Sequence, residues 1–184
     1  MKELSLHVLD IVQNSIAADA NLITIRIVEK ITTDRLVIEI ADNGRGMDNE
    51  MVQKIKDPFV TGRKIRKVGL GIPLLHKACT RCGGDMVIES ELGKGTKILC
   101  WFIYSHIDRA PLGNMIDTIL TIIMTNPEID IVYTHNYEGK EIQLDTREIK
   151  KIMGEVPINQ PQVLSWMKEY LKESFNSLYG GANI

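Results

Sequence analysis

The chain has 184 residues, 44% hydrophobic and 25% charged, a composition typical of a globular protein with a buried core and not of a disordered or fibrous chain. Its 22 lysine and arginine residues nearly balance 24 aspartate and glutamate residues, and the net charge of −2 argues against nucleic acid or an anionic membrane as a partner. Three cysteines cannot close a disulfide framework, and the longest strongly apolar run, at residues 119–124, is too short to span a bilayer, so we expect a cytoplasmic protein.

Hydrophobic spacing in the first half of the chain predicts three helices and four strands. In chain order these are helix 4–20, strands 22–29 and 36–41, helices 48–56 and 71–82, and strands 86–90 and 96–104. The first helix has apolar residues at a period near 3.6, whereas isoleucines stand at every second position from Ile23 to Ile27 in the first strand. The two strands that follow the first helix are expected to form a hairpin.

The pattern changes after residue 106, where a segment that contains Pro111 and Gly113 has the composition of a linker. The elements predicted beyond it are helix 115–124, strands 129–137 and 141–144, and helices 147–153 and 162–178. We therefore predict a first domain at residues 1–106 and a small α+β appendage of unknown role at residues 107–184.

Three glycine pairs lie at boundaries between predicted elements. They are Gly44 with Gly46, Gly69 with Gly71, and Gly93 with Gly95. Glycine allows a backbone or a ligand to approach where a Cβ would collide, although each pair alone is explained equally well by ordinary turn chemistry. The phosphate-loop pattern and the Gly-x-Gly-x-x-Gly dinucleotide pattern are both absent from the sequence, so neither of those nucleotide sites is expected.

Ordered sequence boxes accompany these glycines. They are DIVQNSIAA at residues 10–18, DNGRGM at 42–47, PFVTGR at 58–63, VGLGI at 68–72 and ELGKGT at 91–96. In this order they resemble the GHKL, or Bergerat-fold, ATPase superfamily of gyrase, mismatch-repair, heat-shock chaperone and sensor histidine kinase ATP domains. The resemblance covers residues 1–104. It implies an α+β fold, a two-layer α/β sandwich with helices on one face of a mixed sheet, and ATP bound with Mg²⁺ between the two layers.

The resemblance assigns roles to two polar residues of the first helix. Asn14 matches the asparagine that holds Mg²⁺ against the triphosphate, and its amide oxygen suits a hard cation. Asp10, one turn earlier on the same helix face, lies where many relatives place a glutamate that acts as a general base. For Asn14 the alternative is a surface amide, and for Asp10 it is a purely structural carboxylate.

Asp42 matches the aspartate that accepts a hydrogen bond from the adenine amino group, and such an acceptor would reject guanine. Thr96 matches the threonine that supports adenine from a neighbouring strand, whereas Gly44 and Gly46 are expected to keep the floor of the site open for the base. An Asp-Asn-Gly turn and a routine strand threonine are the local alternatives.

The segment from Thr61 to Gly69 corresponds to a very short ATP lid that carries four cations, and a solvated basic loop is the alternative. The helix after it would direct its amino-terminal amides and its dipole at phosphate oxygens. The predicted nucleotide contacts in this region are Thr61, Arg63, Lys64, Lys67, Gly69, Leu70 and Gly71.

His76, Cys79 and Cys82 follow one another at three-residue steps in the predicted helix 71–82. Zinc would require a fourth ligand, and the sequence offers no second pair beside them. A redox role would require the strand that precedes such a motif in thioredoxins. We therefore expect these side chains to pack the end of the helix.

Three uses of bound ATP fit the sequence. The chain transfers phosphate to a separate protein partner, as histidine-kinase-like proteins and anti-sigma serine kinases do, or hydrolyses ATP as a conformational switch, or binds ATP as a regulatory module without turnover. A full sensor kinase carries a dimerising helical pair with a phosphoacceptor histidine before the ATP domain, and only residues 1–5 stand there. We therefore expect a protein kinase that acts on another protein, and the sequence leaves open whether the chain forms a homodimer.

Overall fold

The structure, a computed structural model, describes residues 2–55 and 70–181. In chain order its elements are α1 (Leu4–Ala17), β1 (Leu22–Lys30), β2 (Arg35–Asp42), α2 (Asn49–Ile55), α3 (Gly71–Arg81), β3 (Asp85–Glu91), β4 (Gly95–Ile103), α4 (Met115–Thr125), β5 (Asp130–Tyr137), β6 (Lys140–Asp145), α5 (Thr146–Met153) and α6 (Pro161–Leu178). No helix in this described part of the chain is long and apolar enough to cross a membrane.

Every helix and strand predicted from the sequence is present, and among the boundaries that lie within the described residues only one differs by more than one residue; the predicted end of helix 48–56 lies outside them. The boundary that differs is the end of α1, which lies at Ala17 instead of residue 20. Asp19 adopts a left-handed φ of 60°, and its amide and that of Ala20 donate to the carbonyls of Ile16 and Ser15 at 3.0 and 3.1 Å. These two hydrogen bonds form a Schellman motif, which ends the helix without the glycine that usually marks it in a sequence.

The six strands form one mixed sheet in the order β3-β4-β2-β1-β5-β6. β1 and β5 run parallel, and all other neighbouring strands run antiparallel. The register places Asp42, at the end of β2, directly opposite Thr96 near the start of β4. The sheet thus brings together two residues that are distant in the sequence.

Alternate side chains of the central strands are buried on one face of the sheet, as Ile25, Ile38 and Cys100 show. The helices cover this face, and α1 and α3 fill the core between the layers with residues such as Ile11 and Leu75. The other face is more open and carries Arg26, Val37, Glu39 and Leu99 at partly or fully exposed positions. The expected α+β class and the two-layer arrangement of a mixed sheet and helices are confirmed.

The residues after 106 extend this sheet and its core. β5 pairs with β1 over eight residue pairs, and β6 forms the edge of the sheet beside it. Ile119 of α4 and Met167 of α6 are fully buried in the same hydrophobic cluster as the first helix. A domain boundary at residue 106 stays a prediction, and the structure adds that the two segments share one sheet.

A buried polar network joins β1, β5 and the end of α6. The Glu29 carboxylate lies 2.8 Å from Nε2 of His135 and accepts a hydrogen bond from the Tyr179 hydroxyl, and Nδ1 of His135 lies 2.7 Å from the Tyr133 hydroxyl. Glu29 is 5% exposed and His135 is completely buried. Because an ionised carboxylate only accepts hydrogen bonds, Nε2 of His135 carries a proton and donates it to Glu29.

Glu29 is kept ionised within this network. Burial raises the pKa of its carboxyl group, but hydrogen bonds from His135 and Tyr179 outweigh burial and hold that pKa below its ordinary value. The carboxylate is therefore stable in the core only while its donors are present, and one donor comes from the last turn of the described chain.

Replacing Tyr179 by phenylalanine removes one donor from this buried carboxylate. We expect Tyr179→Phe to lower the free energy of unfolding by about 2 kcal/mol, since hydrogen bonds to charged groups contribute more than neutral ones. Urea denaturation followed by circular dichroism measures the change.

The matched control is Tyr170→Phe, because the Tyr170 hydroxyl donates only to the carbonyl of Gln143, at 3.1 Å and in an exposed position. The control should cost less than about 1 kcal/mol. Equal losses in the two variants would contradict a special role for the Glu29 network.

Candidate functional site

Asp42 lies at the end of β2, and three hydrogen bonds fix the orientation of its carboxylate. Oδ1 accepts from the backbone amides of Gly44 at 2.9 Å and Thr96 at 3.3 Å. Oδ2 accepts from the Ser15 hydroxyl of α1 at 2.6 Å. Asp42 is only partly buried, so a ligand can reach the carboxylate. The structure therefore presents an oriented anion where the sequence predicts the contact with adenine.

Thr96 lies beside this carboxylate in a small group of hydroxyls. Its Oγ1 is 2.9 Å from Oγ of Ser90 on β3, which also lies 2.9 Å from the carbonyl oxygen of Gly95. Ser90 accepts a hydrogen bond from the amide of Met47 at 2.8 Å. Ser90 thus links the loop after β2 to the two strands next to it, a role that its sequence position did not suggest.

Asp10 and Asn14 lie on the face of α1 that meets the start of α3. A Cβ built on Gly71, the first residue of α3, would lie 2.9 Å from Cβ of Asp10 and 3.6 Å from Nδ2 of Asn14. Only glycine allows this close approach without a shift of the helix. The amino-terminal amides and the positive end of the helix dipole of α3 therefore lie next to both predicted site residues.

The side-chain nitrogen of Asn14 is buried, although the residue as a whole is only partly buried. Its Nδ2 atom has no hydrogen-bond partner among the described residues. A buried donor without a partner costs free energy, and a bound ligand or water can supply the missing acceptor. This N–H donor, between Asp10 and the start of α3, suits an acceptor such as a phosphate oxygen, and the predicted contact of the Asn14 amide oxygen with Mg²⁺ stays a prediction.

Gly44 and Gly46 are buried, and close backbone packing accounts for both. Gly46 has a φ of +67°, and a Cβ there would lie 2.0 Å from the carbonyl oxygen of Glu91. At Gly44 the nearest atom to a Cβ is the carbonyl oxygen of Ala18, at 2.7 Å. These contacts join the loop after β2 to α1 and β3, and a contact of either glycine with a nucleotide base stays a prediction.

Part of the predicted lid lies outside the described residues. This holds for Thr61, Arg63, Lys64, Lys67 and Gly69. Leu70, which precedes α3, is 61% exposed, and Gly71 opens α3 against α1. Their contacts with phosphate groups stay predictions.

His76, Cys79 and Cys82 lie on or directly after α3. The two thiols are buried, and Nε2 of His76 lies 3.6 Å from Oδ1 of Asp85. Cys100 of β4 is also buried, and all three cysteines are free. Within residues 2–55 and 70–181, no group of three or more histidine, cysteine or acidic residues could hold a metal ion.

Ser15 and Asn43 are site residues that sequence reasoning missed. Asn43 holds the end of β2 to the turn after α1, because its Oδ1 accepts from the amides of Asn21 and Leu22, both at 3.0 Å. Ser15 stands next to Asn14 in the sequence, yet no local signal reveals its bond to Asp42, 27 residues away. The positions of both residues follow from the way α1 packs on the sheet.

Comparison with known proteins identifies the family. The family model described as "Histidine kinase-, DNA gyrase B-, and HSP90-like ATPase" matches residues 2–105. The chain is 36% identical over 64 residues to Sensor kinase CckA of Brucella abortus (strain 2308), a match that covers 34% of this chain and 7% of that protein. It is 32% identical over 88 residues to Sporulation kinase C of Bacillus subtilis (strain 168), covering 48% of this chain and 20% of that protein.

The chain thus spans a fifth or less of the length of these two curated relatives.

Among solved structures, the fold is similar to the N-terminal domain of a DNA repair protein. The TM-score is 0.55 and the identity 18%, and the match covers 84% of this chain and 58% of that chain. At this identity the likeness shows a shared fold. Since the family model spans more than half of the chain and contains the boxes that the sequence resemblance rests on, the chain belongs to the histidine kinase-, DNA gyrase B- and HSP90-like ATPase family.

Proposed function

We propose that this ATPase-family chain binds ATP with Mg²⁺ at the described site and transfers the terminal phosphoryl group to a separate protein partner. The observation that carries the nucleotide site is the oriented Asp42 carboxylate, held by Ser15, Gly44 and Thr96. Family membership supports ATP binding. Transfer to a protein rests on relatives that are named as kinases.

The adenine end of the proposed site is Asp42. Its carboxylate would accept a hydrogen bond from the 6-amino group of adenine, with Thr96 beside it. Guanine has a carbonyl oxygen at the same position, and two acceptors facing each other would repel. The site should therefore select ATP over GTP.

The phosphate end of the proposed site lies where α1 meets α3. The amino-terminal amides of α3 would donate to phosphate oxygens, and the predicted lid residues Thr61, Arg63, Lys64, Lys67 and Gly69 would add positive charge and donors. Mg²⁺ would neutralise charge on the phosphate oxygens, and Asn14 would hold it through its amide oxygen. One protein ligand is sufficient, because Mg²⁺ is commonly held by substrate phosphates and waters.

Asp10 is the proposed proton acceptor. It lies one helical turn from Asn14 and against the start of α3. In the transfer, an oxygen or nitrogen of the acceptor protein bonds to the γ-phosphorus, the bond to the β,γ-bridging oxygen breaks, and ADP leaves. Asp10 would take the proton that the attacking group loses. Water in place of the acceptor would give hydrolysis.

The decisive experiment incubates the purified chain with γ-labelled ATP, with and without an extract of its source cells. Label on an extract protein supports transfer. Release of labelled phosphate alone would replace transfer by hydrolysis, and ATP binding without either product would replace both by a regulatory role.

In the same assay, we expect Asp10→Asn to lower the rate of label transfer by about 100-fold or more, with ATP affinity little changed. The amide keeps the shape of the side chain and cannot take a proton. Glu148→Gln, an exposed substitution in the first turn of α5, serves as control and should leave the rate unchanged. An unchanged rate in Asp10→Asn would remove the proton-acceptor role.

Asp42→Asn tests the adenine contact. We expect ATP binding to weaken by about tenfold or more, because a charge-assisted hydrogen bond is lost. The ratio of GTP to ATP affinity should rise, since the asparagine amide can donate to the guanine carbonyl oxygen. Isothermal titration calorimetry with both nucleotides measures this, and full retention of ATP affinity would refute the assignment of Asp42.

A further inference from the structure

We propose that Ser15 is a positioning residue for adenine recognition, because it directs Oδ2 of Asp42 at the 6-amino group of the base. The inference rests on the proposed ATP site. It assigns the recognition contact to one oxygen of the carboxylate and its orientation to a hydroxyl of α1.

The acceptor capacity of the carboxylate identifies the oxygen. Each carboxylate oxygen offers about two lone pairs. Oδ1 already accepts from the amides of Gly44 and Thr96, whereas Oδ2 accepts, among the residues that the structure describes, only from the Ser15 hydroxyl. The second lone pair of Oδ2 is therefore the acceptor left for a ligand.

The single proton of the Ser15 hydroxyl has two acceptors within reach. Oδ2 of Asp42 lies 2.6 Å away, and the carbonyl oxygen of Ile11, one turn earlier in α1, lies 3.4 Å away. The shorter distance and the charge of the carboxylate favour Asp42. The proton is therefore directed at the sheet and not back along the helix.

Burial makes this hydrogen bond a geometric constraint. Ser15 is 3% exposed, so its hydroxyl has little access to water. Without it, Oδ2 loses its bond to α1, and both of its lone pairs become available to water. The carboxylate then keeps only the two amide hydrogen bonds to Oδ1, which restrict the direction of Oδ2 less tightly, and binding of adenine has to restore that direction.

The test compares two nucleotides and two serine variants by isothermal titration calorimetry. ATP carries the 6-amino group, and purine riboside 5′-triphosphate lacks it and is otherwise the same. Ser15→Ala removes the positioning hydroxyl. Ser5→Ala is the matched control, because Ser5 is a buried serine at the opposite end of the same helix, and its Oγ donates to Glu3 at 3.3 Å.

We expect Ser15→Ala to weaken ATP binding by about fivefold to tenfold and to change binding of purine riboside triphosphate by less than about twofold. Ser5→Ala should change neither affinity. Equal weakening of both nucleotides by Ser15→Ala would show a purely structural role and overturn the proposal. Unchanged ATP affinity would overturn it as well.

Combining Ser15→Ala with Asp42→Asn gives a second, independent measurement. Because Ser15 is argued to act through Asp42, it should add no further loss of ATP affinity in the Asp42→Asn background. Fully additive losses would overturn the proposal. If the affinities change as expected but no phosphate is transferred, only the proposed transfer is refuted. If the unmodified chain does not bind ATP, the nucleotide site and the role of Ser15 are refuted together.

Discussion

The Asp42 carboxylate connects the two layers of this fold at the point where the site forms. It is carried by the end of β2, accepts one hydrogen bond from α1 through Ser15, and accepts another from β4 through the amide of Thr96. A partly buried anion needs such donors, and each donor comes from a different element. The hydrophobic packing of α1 on the sheet therefore also brings Ser15 to Asp42, and the candidate site depends on that packing.

The packing of α1 against α3 forms the second part of the candidate site, next to Asp10 and Asn14. Gly71 permits a contact between the helices that a side chain would prevent, and this contact places the start of α3 beside Asp10 and Asn14. The Nδ2 atom of Asn14, which lies at this contact, has no hydrogen-bond partner among the described residues. A buried polar atom without a protein partner is tolerated most readily where a ligand completes its hydrogen bonds, which agrees with the proposed phosphate site at this position.

The region beyond residue 106 is joined to residues 1–106 in two ways. Its strand β5 pairs with β1, and its side chains donate hydrogen bonds to a buried carboxylate on β1. β5 continues the sheet beside β1, and the Glu29 carboxylate on β1 is satisfied by His135 of β5 and by Tyr179 at the end of α6. Loss of either donor would leave a buried charge underbonded. The stability of the first segment thus depends on residues at the far end of the chain.

Hydrophobic periodicity, turn residues and short motifs are local properties, and they were sufficient to predict the helices and strands, the family and the order of the candidate site residues. They missed the early end of α1, since the left-handed residue there is Asp19 and not glycine. Three contacts are visible only in the folded chain: Ser15 donates to Asp42, Ser90 lies beside Thr96, and Tyr179 donates to Glu29 across 150 residues. Such pairs form when helices pack on a sheet in one register, and no local pattern in a single sequence records which distant polar groups will then meet.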